Sequence, residues 1–244
     1  MASKVIMIAS GKGGTGKSTV CVFLGAELAA RGNRVLLIEL DSGLRSVDII
    51  AGVYGKTVYD IEDVMRGRCD ADKAVVESPI YKGLSVISAP YSGGAIDTSA
   101  LKIITNKLGE VFDIILIDTA AGMGAPFEAA SAVCYTALLV LTPDPVTLRD
   151  GRIVADALFD AGRAEVRLII NKVEESGVTQ NGIKDLDECI DTVGAQLIGV
   201  LPQSGDIMSA AANGTALKEK TKAKQAFKNI AARVCGEDVP LIIR

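Results

Sequence analysis

Residues Gly11-Lys12-Gly13-Gly14-Thr15-Gly16-Lys17-Ser18 fit the loop pattern G-x-x-x-x-G-K-[ST], with an extra lysine near the front and a fourth glycine. Such a loop bares backbone N–H groups to an anion, and glycine keeps Cβ atoms out of the way while allowing positive φ. Lys17 would reach the β/γ-phosphates of a nucleotide, and the Ser18 hydroxyl would hold Mg²⁺. The flanks agree. Lys4–Ala9 is a short apolar, β-branched run ending at the loop, as a buried parallel strand should look. Beyond it, Val20, Leu24 and Leu28 repeat at helical spacing and Gly32 is placed as a stop. Strand, glycine loop and helix occur in the order that puts an anion on a helix N-terminus.

Composition removes other chemistries. The chain of 244 residues contains no histidine, which excludes Ser-His-Asp catalysis, histidine general bases and histidine-ligated zinc. Its five cysteines lie far apart, with no C-x-x-C or C-x-C pair, which suits reduced thiols in a cytosolic protein. Net charge is −4, so nothing global points to nucleic acid. Apolar runs stay shorter than the ~18–20 residues of a membrane span, and Met1-Ala2-Ser3 leads straight into a strand rather than a secretory signal. The expected location is the cytoplasm.

Further strand-like runs cover 34–38, 84–88, 113–117, 137–141, 166–170 and 197–201. Helical patterns fall between them near 60–66, 98–109, 125–133, 146–161, 181–191, 206–212 and 221–235. Alternation of this kind predicts an α/β chain with three layers, a mostly parallel central sheet and helices on both faces, in one domain over 1–244. Ligands of such sheets bind beyond the carboxyl ends of the strands. Several polar residues lie there: Glu39 and Asp41 after the second strand, Asp118 after 113–117, Asn171-Lys172, and Pro202-Gln203. An apolar run ending in Asp is the Walker B pattern, so Asp118 would support Mg²⁺ through a water. Asp41 would reach toward the γ-phosphate and orient the attacking water. Asn171 would read the adenine edge with its paired donor and acceptor.

With these residues placed, the chain resembles the MinD/ParA family of deviant Walker ATPases, and its MinD branch in particular. Lys12 matches the family's signature lysine, and Asp41-Ser42-Gly43-Leu44-Arg45-Ser46-Val47-Asp48 looks like the switch I stretch. Val58-Tyr59-Asp60, Leu148-Arg149-Asp150 and Gly199-Val200-Leu201-Pro202 are further landmarks. The resemblance implies a slow ATPase that cycles between an ATP-bound homodimer and an ADP-bound monomer, with Lys12 contacting phosphate held by the other subunit. It places Gly11 to Thr19 on the phosphates, with Ser18, Asp41 and Asp118 on the metal side, and Asn171 and Pro202 near the base. Lys12, Lys17, Asp41 and Asp118 are the catalytic candidates. It further implies ATP/ADP and Mg²⁺ as cofactors, regulators of MinC or MinE type as partners, and division-site placement as the process. Flagellar- or pilus-positioning relatives and ParA-type DNA-partitioning ATPases are the alternatives. Metallocofactor-linked relatives need thiolates near the segment after Asp118, and residues 118–130 contain none.

Three departures stand out. Glu39 occupies a position where the family usually has Asp, which would shift metal or water placement. Asp118-Thr119-Ala120-Ala121-Gly122 lacks the proline common in switch II, which would loosen that loop. The sequence ends Val239-Pro240-Leu241-Ile242-Ile243-Arg244 where relatives continue into a basic amphipathic membrane helix. The lysines between 218 and 228 do not replace it, because the apolar face beside them is mostly alanine. Weak direct membrane binding is therefore the expectation.

Nucleotide choice follows from the same residues. Asn171-Lys172 is followed by Val173 and Glu174, not by the x-Asp of guanine-reading loops. Calorimetric titration with Mg²⁺ should show ATP and ADP binding much more tightly than GTP; equal affinities would refute the adenine assignment.

Overall fold

The computed structural model describes residues 3–43, 45–91, 93, 96–162, 165–174, 177 and 182–241. Leu44 of the switch I stretch, the first residue of the 181–191 helix pattern and the terminal Ile242-Ile243-Arg244 lie outside the described residues. The strands are β1 Lys4–Ala9, β2 Val35–Glu39, β3 Val76–Glu77, β4 Leu84–Ile87, β5 Ile114–Asp118, β6 Thr136–Leu141, β7 Glu165–Val173 and β8 Gln196–Pro202. The first helices are α1 Lys17–Ala30, α2 Ser46–Ile50, α3 Ile61–Met65, α4 Ala71–Ala74 and α5 Thr98–Leu108. They are followed by α6 Ala125–Val133, α7 Pro145–Asp160, α8 Leu186–Val193, α9 Gly205–Asn213 and α10 Lys222–Val234.

The strands form one sheet in the order β3-β4-β2-β5-β1-β6-β7-β8, parallel except for β3. Side chains alternate across it. Met7, Leu36, Ile38, Ile115, Ile117 and Leu139 face a core closed by α5, α6, α7 and α8. Ile6, Ile8, Leu37, Leu116 and Leu138 face the other core, closed by α1 and α10. Both faces are covered, so the inner strands read as unbroken apolar runs rather than alternating ones. Strand β1 lies between β5 and β6, where the chain changes its direction of travel across the sheet, and such a switch point opens a crevice at the carboxyl ends.

Most helix starts are fixed by a side chain that accepts a terminal N–H: Asp60, Asp97, Asp144, Asp185, Ser204 and Thr221 each do so. The elements absent from the sequence reading are α2, α4 and the two-residue β3, all too short to carry a period. Strand β7 also runs further than 166–170: Asn171 and Lys172 lie inside it, past a register shift against β8, rather than in a loop after it.

The basic segment before residue 235 resolves into α10, whose apolar side is already occupied. Phe227 is fully buried and meets Phe23 of α1 edge to face, with ring centroids 5.6 Å apart. Lys224 turns inward and pairs with Glu27 of α1 at 2.6 Å, both side chains nearly covered. This helix is a core element, not a membrane-surface one. Among the described residues no helix is long and apolar enough to cross a membrane.

The Glu27–Lys224 pair yields a stability prediction. Removing one partner of a buried ion pair strands the other charge, at a cost of about 3–5 kcal/mol. Lys224→Met should lower the unfolding free energy by that amount, read as a lower denaturant midpoint at an unchanged m-value. The double variant Glu27→Leu, Lys224→Met should recover most of it.

Candidate functional site: a phosphate loop facing two buried carboxylates

The glycines of residues 11–16 serve different ends. A Cβ on Gly11 would lie 2.8 Å from the backbone oxygen of Asp150 in α7, so glycine there permits close packing. Gly14 and Gly16 hold φ of 81° and 94°, in the left-handed region that favours glycine. Around Gly13 and Gly14 a Cβ would meet nothing within 4 Å, which leaves that side of the loop open. Gly16 begins α1 without any side-chain cap, so the first N–H groups of this helix have no local acceptor from a cap. An uncapped helix start below an open glycine loop is the arrangement that receives phosphate.

The loop is held from β7. The Asn171 amide is buried and donates to the Thr15 carbonyl at 2.8 Å. A Cβ on Gly16 would come within 2.4 Å of the same nitrogen. Lys172, in left-handed backbone at φ 59°, donates from Nζ to the Gly14 carbonyl at 2.7 Å. Asn171 thus has an anchoring task that the sequence does not reveal, alongside the base contact expected of it. Lys172 was no site residue in the sequence reading; a positive φ in a β-branched, apolar neighbourhood leaves no sequence signal.

Lys17 is buried under the loop, Ser18 and Thr19 are half-buried at the start of α1, and Lys12 projects into solvent. The Ser10 hydroxyl donates to the Lys12 carbonyl at 2.7 Å and fixes the turn that carries that lysine. Asp118, the last residue of β5, is fully buried, and neither carboxylate oxygen has a hydrogen-bond partner. Burial pushes its pKa up to about 7; the nearby Ser18 hydroxyl and Lys17 ammonium pull it down, and Asp41 pushes it further up. The Ser18 hydroxyl therefore acts on it as a near dipole rather than through a formed bond. Thr15 Oγ1 is likewise buried and unpartnered. A dry carboxylate with no donor, between a lysine and a serine at the mouth of an anion loop, fits a divalent cation bound with phosphate.

Glu39 stands opposite Asp118 in the β2–β5 register. Its Oε1 accepts from the Val47 N–H at 3.2 Å and its Oε2 from the Ala89 N–H at 3.4 Å. Burial raises its pKa to about 8, against the two backbone donors that lower it, with Asp118 and Asp48 raising it further. The long carboxylate is directed at α2 and the end of β4. Asp41 is half-buried two residues on, close enough to Asp118 for its charge to act there. After Asp118 the Thr119 N–H and hydroxyl both donate to the Ile8 carbonyl, and the Gly122 N–H to Ser10, so this segment is tied to β1 and the loop without a proline. Pro202 ends β8, half-buried, two residues before the Ser204 cap of α9. A cavity of about 750 Å³ lies elsewhere, at the starts of β1, β6 and β7, and includes none of these residues.

With this geometry in view, known proteins supply the context. The family model described as the CobQ/CobB/MinD/ParA nucleotide binding domain matches residues 6–217. The chain belongs to that family, on its MinD branch. The septum site-determining protein MinD of Synechocystis is 34% identical over 98% of this chain and 92% of its own length. A MinC:MinD cell division complex from Aquifex aeolicus contains a chain that superposes with a TM-score of 0.91 at 31% identity, covering 99% of both chains. The Pyrococcus horikoshii MinD complexed with Mg-ADP matches with a TM-score of 0.84 at 26% identity, over 95% of this chain and 96% of that one. The fold is that of MinD P-loop NTPases, and the activity class is a nucleotide-binding P-loop ATPase of MinD type, in division-site placement.

The Asn171 anchor generates a test. Asn171→Ala leaves the buried Thr15 carbonyl without its donor, at about 1–3 kcal/mol. Affinity for inorganic tripolyphosphate should fall alongside that for ATP. A residue that only reads the base would leave tripolyphosphate binding untouched.

Proposed function

We propose that this chain is a Mg²⁺-dependent ATPase that works as a nucleotide-switched homodimer, as one domain over its whole length, with division-site placement as its output. The observation that carries the reading is the unpartnered, fully buried Asp118 carboxylate facing Lys17 and Ser18 at the mouth of an open glycine loop. Backbone N–H groups of Gly11 to Ser18 and the start of α1 cradle the phosphates. Thr15 and Thr19 lie along the same stretch. Lys17 holds the β/γ-phosphate oxygens as a point charge, and Ser18 and Asp118 hold the cation. Bound Mg²⁺ neutralises charge that develops on the phosphate oxygens. Asp41 orients the attacking water and lies on the metal side of the site. Asn171, after anchoring Thr15, keeps a second N–H and its carbonyl oxygen for the adenine edge, and Pro202 flanks the base from β8.

Lys12 has a different geometry from Lys17. It lies on the exposed rim and is free to reach phosphate held by a second copy, which makes the site complete only in the dimer. The segment 118–124, bonded to both β1 and Ser10, senses the phosphate through the loop it shares. A MinC-type regulator is the expected partner, given that a MinD of the same fold forms such a complex, with a MinE-type regulator as the second. The cytoplasm is the proposed working compartment.

The two halves of the mechanism separate by substitution. Lys12→Ala should keep nucleotide binding but lose ATP-driven dimerisation in light scattering and about 10³-fold or more in turnover, the scale of a cation supplied in trans. Asp41→Ala should still dimerise with ATP and then stall. Lys12→Ala that dimerises and hydrolyses like the parent would leave an ordinary P-loop enzyme as the better reading.

A further inference from the structure

Arg45 sits inside the switch-like stretch, and nothing above gives it work. It is nonetheless almost completely buried, in left-handed backbone at φ 47°, where a side-chain-bearing residue is found only if its surroundings compel it. Its Nε donates to Asp48 Oδ2 at 2.8 Å, its Nη2 forms an ion pair with the same oxygen at 2.7 Å, and Nη2 donates to Thr57 Oγ1 at 2.5 Å. Asp48 is fully buried and accepts in addition from the Ser88 hydroxyl at the end of β4. The exposed side of the guanidinium is roofed by Tyr91, whose ring centroid lies 4.0 Å from Cζ. One side chain therefore joins the segment after β2, the loop at 57 and the segment after β4.

The backbone from Leu40 to Gly43 is pinned at two points. Leu40 N–H donates to the Asp118 carbonyl at 2.8 Å, and Gly43 N–H donates to the Pro90 carbonyl at 3.2 Å. Asp41 lies between them, one residue from the first point and two from the second. Pro90 precedes Tyr91, so the second point is fixed by the residue that covers Arg45. We propose that Arg45, clamped by Asp48 and roofed by Tyr91, is a positioning residue for ATP hydrolysis that sets the reach of Asp41. Tyr91 is the detachable part of this clamp: it is 63% exposed and holds on through its ring face, whereas Thr57 and Asp48, itself held by Ser88, bind Arg45 from within. The proposal rests on the role given to Asp41 above. A purely structural ion pair would instead affect stability and leave turnover alone.

The test uses the full chain, with phosphate release and nucleotide affinity measured side by side. Tyr91→Ala should cut turnover about two- to fivefold, the range of an exposed cation–π contact expressed as a barrier. Its ADP affinity should match the parent, because the glycine loop is untouched. Tyr91→Phe keeps a ring over the guanidinium and should restore turnover. Arg45→Lys loses the planar fork and should fall like Tyr91→Ala. In an Asp41→Ala background, Tyr91→Ala should add no further loss. Parent-like turnover in Tyr91→Ala, or an equal fall in Tyr91→Phe, would overturn the inference while a stalled Asp41→Ala still supports the Asp41 role. Parent-like turnover in Asp41→Ala would overturn that role and the inference together.

Discussion

A glycine loop that leaves its N–H groups free for a ligand has little to hold its own shape, and in this protein its carbonyls are held from outside. Asn171 and Lys172 take up the Thr15 and Gly14 carbonyls, so the N–H edges of the same peptides turn toward the open side. Orientation of a peptide is all or none, because its C=O and N–H point in opposite directions across a planar unit. Two donors on β7 thereby set the polarity of a loop more than 150 positions earlier in the sequence. Those donors can reach it because β7 extends past its pairing with β6, which ends at Ile170, and because Lys172 adopts left-handed backbone. The rest of the site is built around that fixed loop: Lys17 below it, Asp118 beside it, Lys12 on its rim.

Much of this was legible from the residues. The sheet and most helices follow from apolar runs and 3.6-residue periods, and α6 is recovered at its observed limits. The Walker loop and the strand-end acids come from local pattern, which needs no knowledge of what lies across the sheet. What escaped depends on long-range neighbours. Glu39 looked like a variant metal-side acid until α2, five residues long and without a period, placed the Val47 N–H in front of it. Lys172 and Arg45 both owe their roles to positive φ, which their types disfavour and which only tertiary contacts impose. Nothing in the sequence sets Lys224 apart from the other lysines between 218 and 228, yet it lies inside the α1–α10 interface.

Charge in the crevice is arranged as a deficit. Asp118 is raised by burial and by Asp41, and Glu39 by burial, Asp118 and Asp48, which shifts both acids toward their protonated forms. Each shift has the sign of a carboxylate whose charged form is penalised by folding, so the acids destabilise the fold above their unfolded pKa values until a cation offsets them. Lys17 supplies part of that offset from beneath the loop. A phosphate bound alone would claim Lys17 for itself and expose Asp118 to a second negative charge. Phosphate and cation are thus coupled by electrostatics, each improving the site for the other.

The longer acid at Glu39 then has a mechanical meaning. A carboxylate that spans from β2 to the Val47 and Ala89 N–H groups ties the start of α2 to the end of β4 at the level of Asp118. Asp48 and Ser88, the neighbours of Val47 and Ala89, repeat the same connection, and Arg45 is clamped to it. Both ties flank Asp41, so a residue expected to move with the nucleotide hangs from a rigid frame rather than a loose loop. The absence of a proline after Asp118 is compensated in the same way, because Thr119 and Gly122 are bonded to Ile8 and Ser10. Rigidity that other switch segments draw from a fixed φ comes here from hydrogen bonds, and hydrogen bonds can be exchanged for others when the occupant of the loop changes.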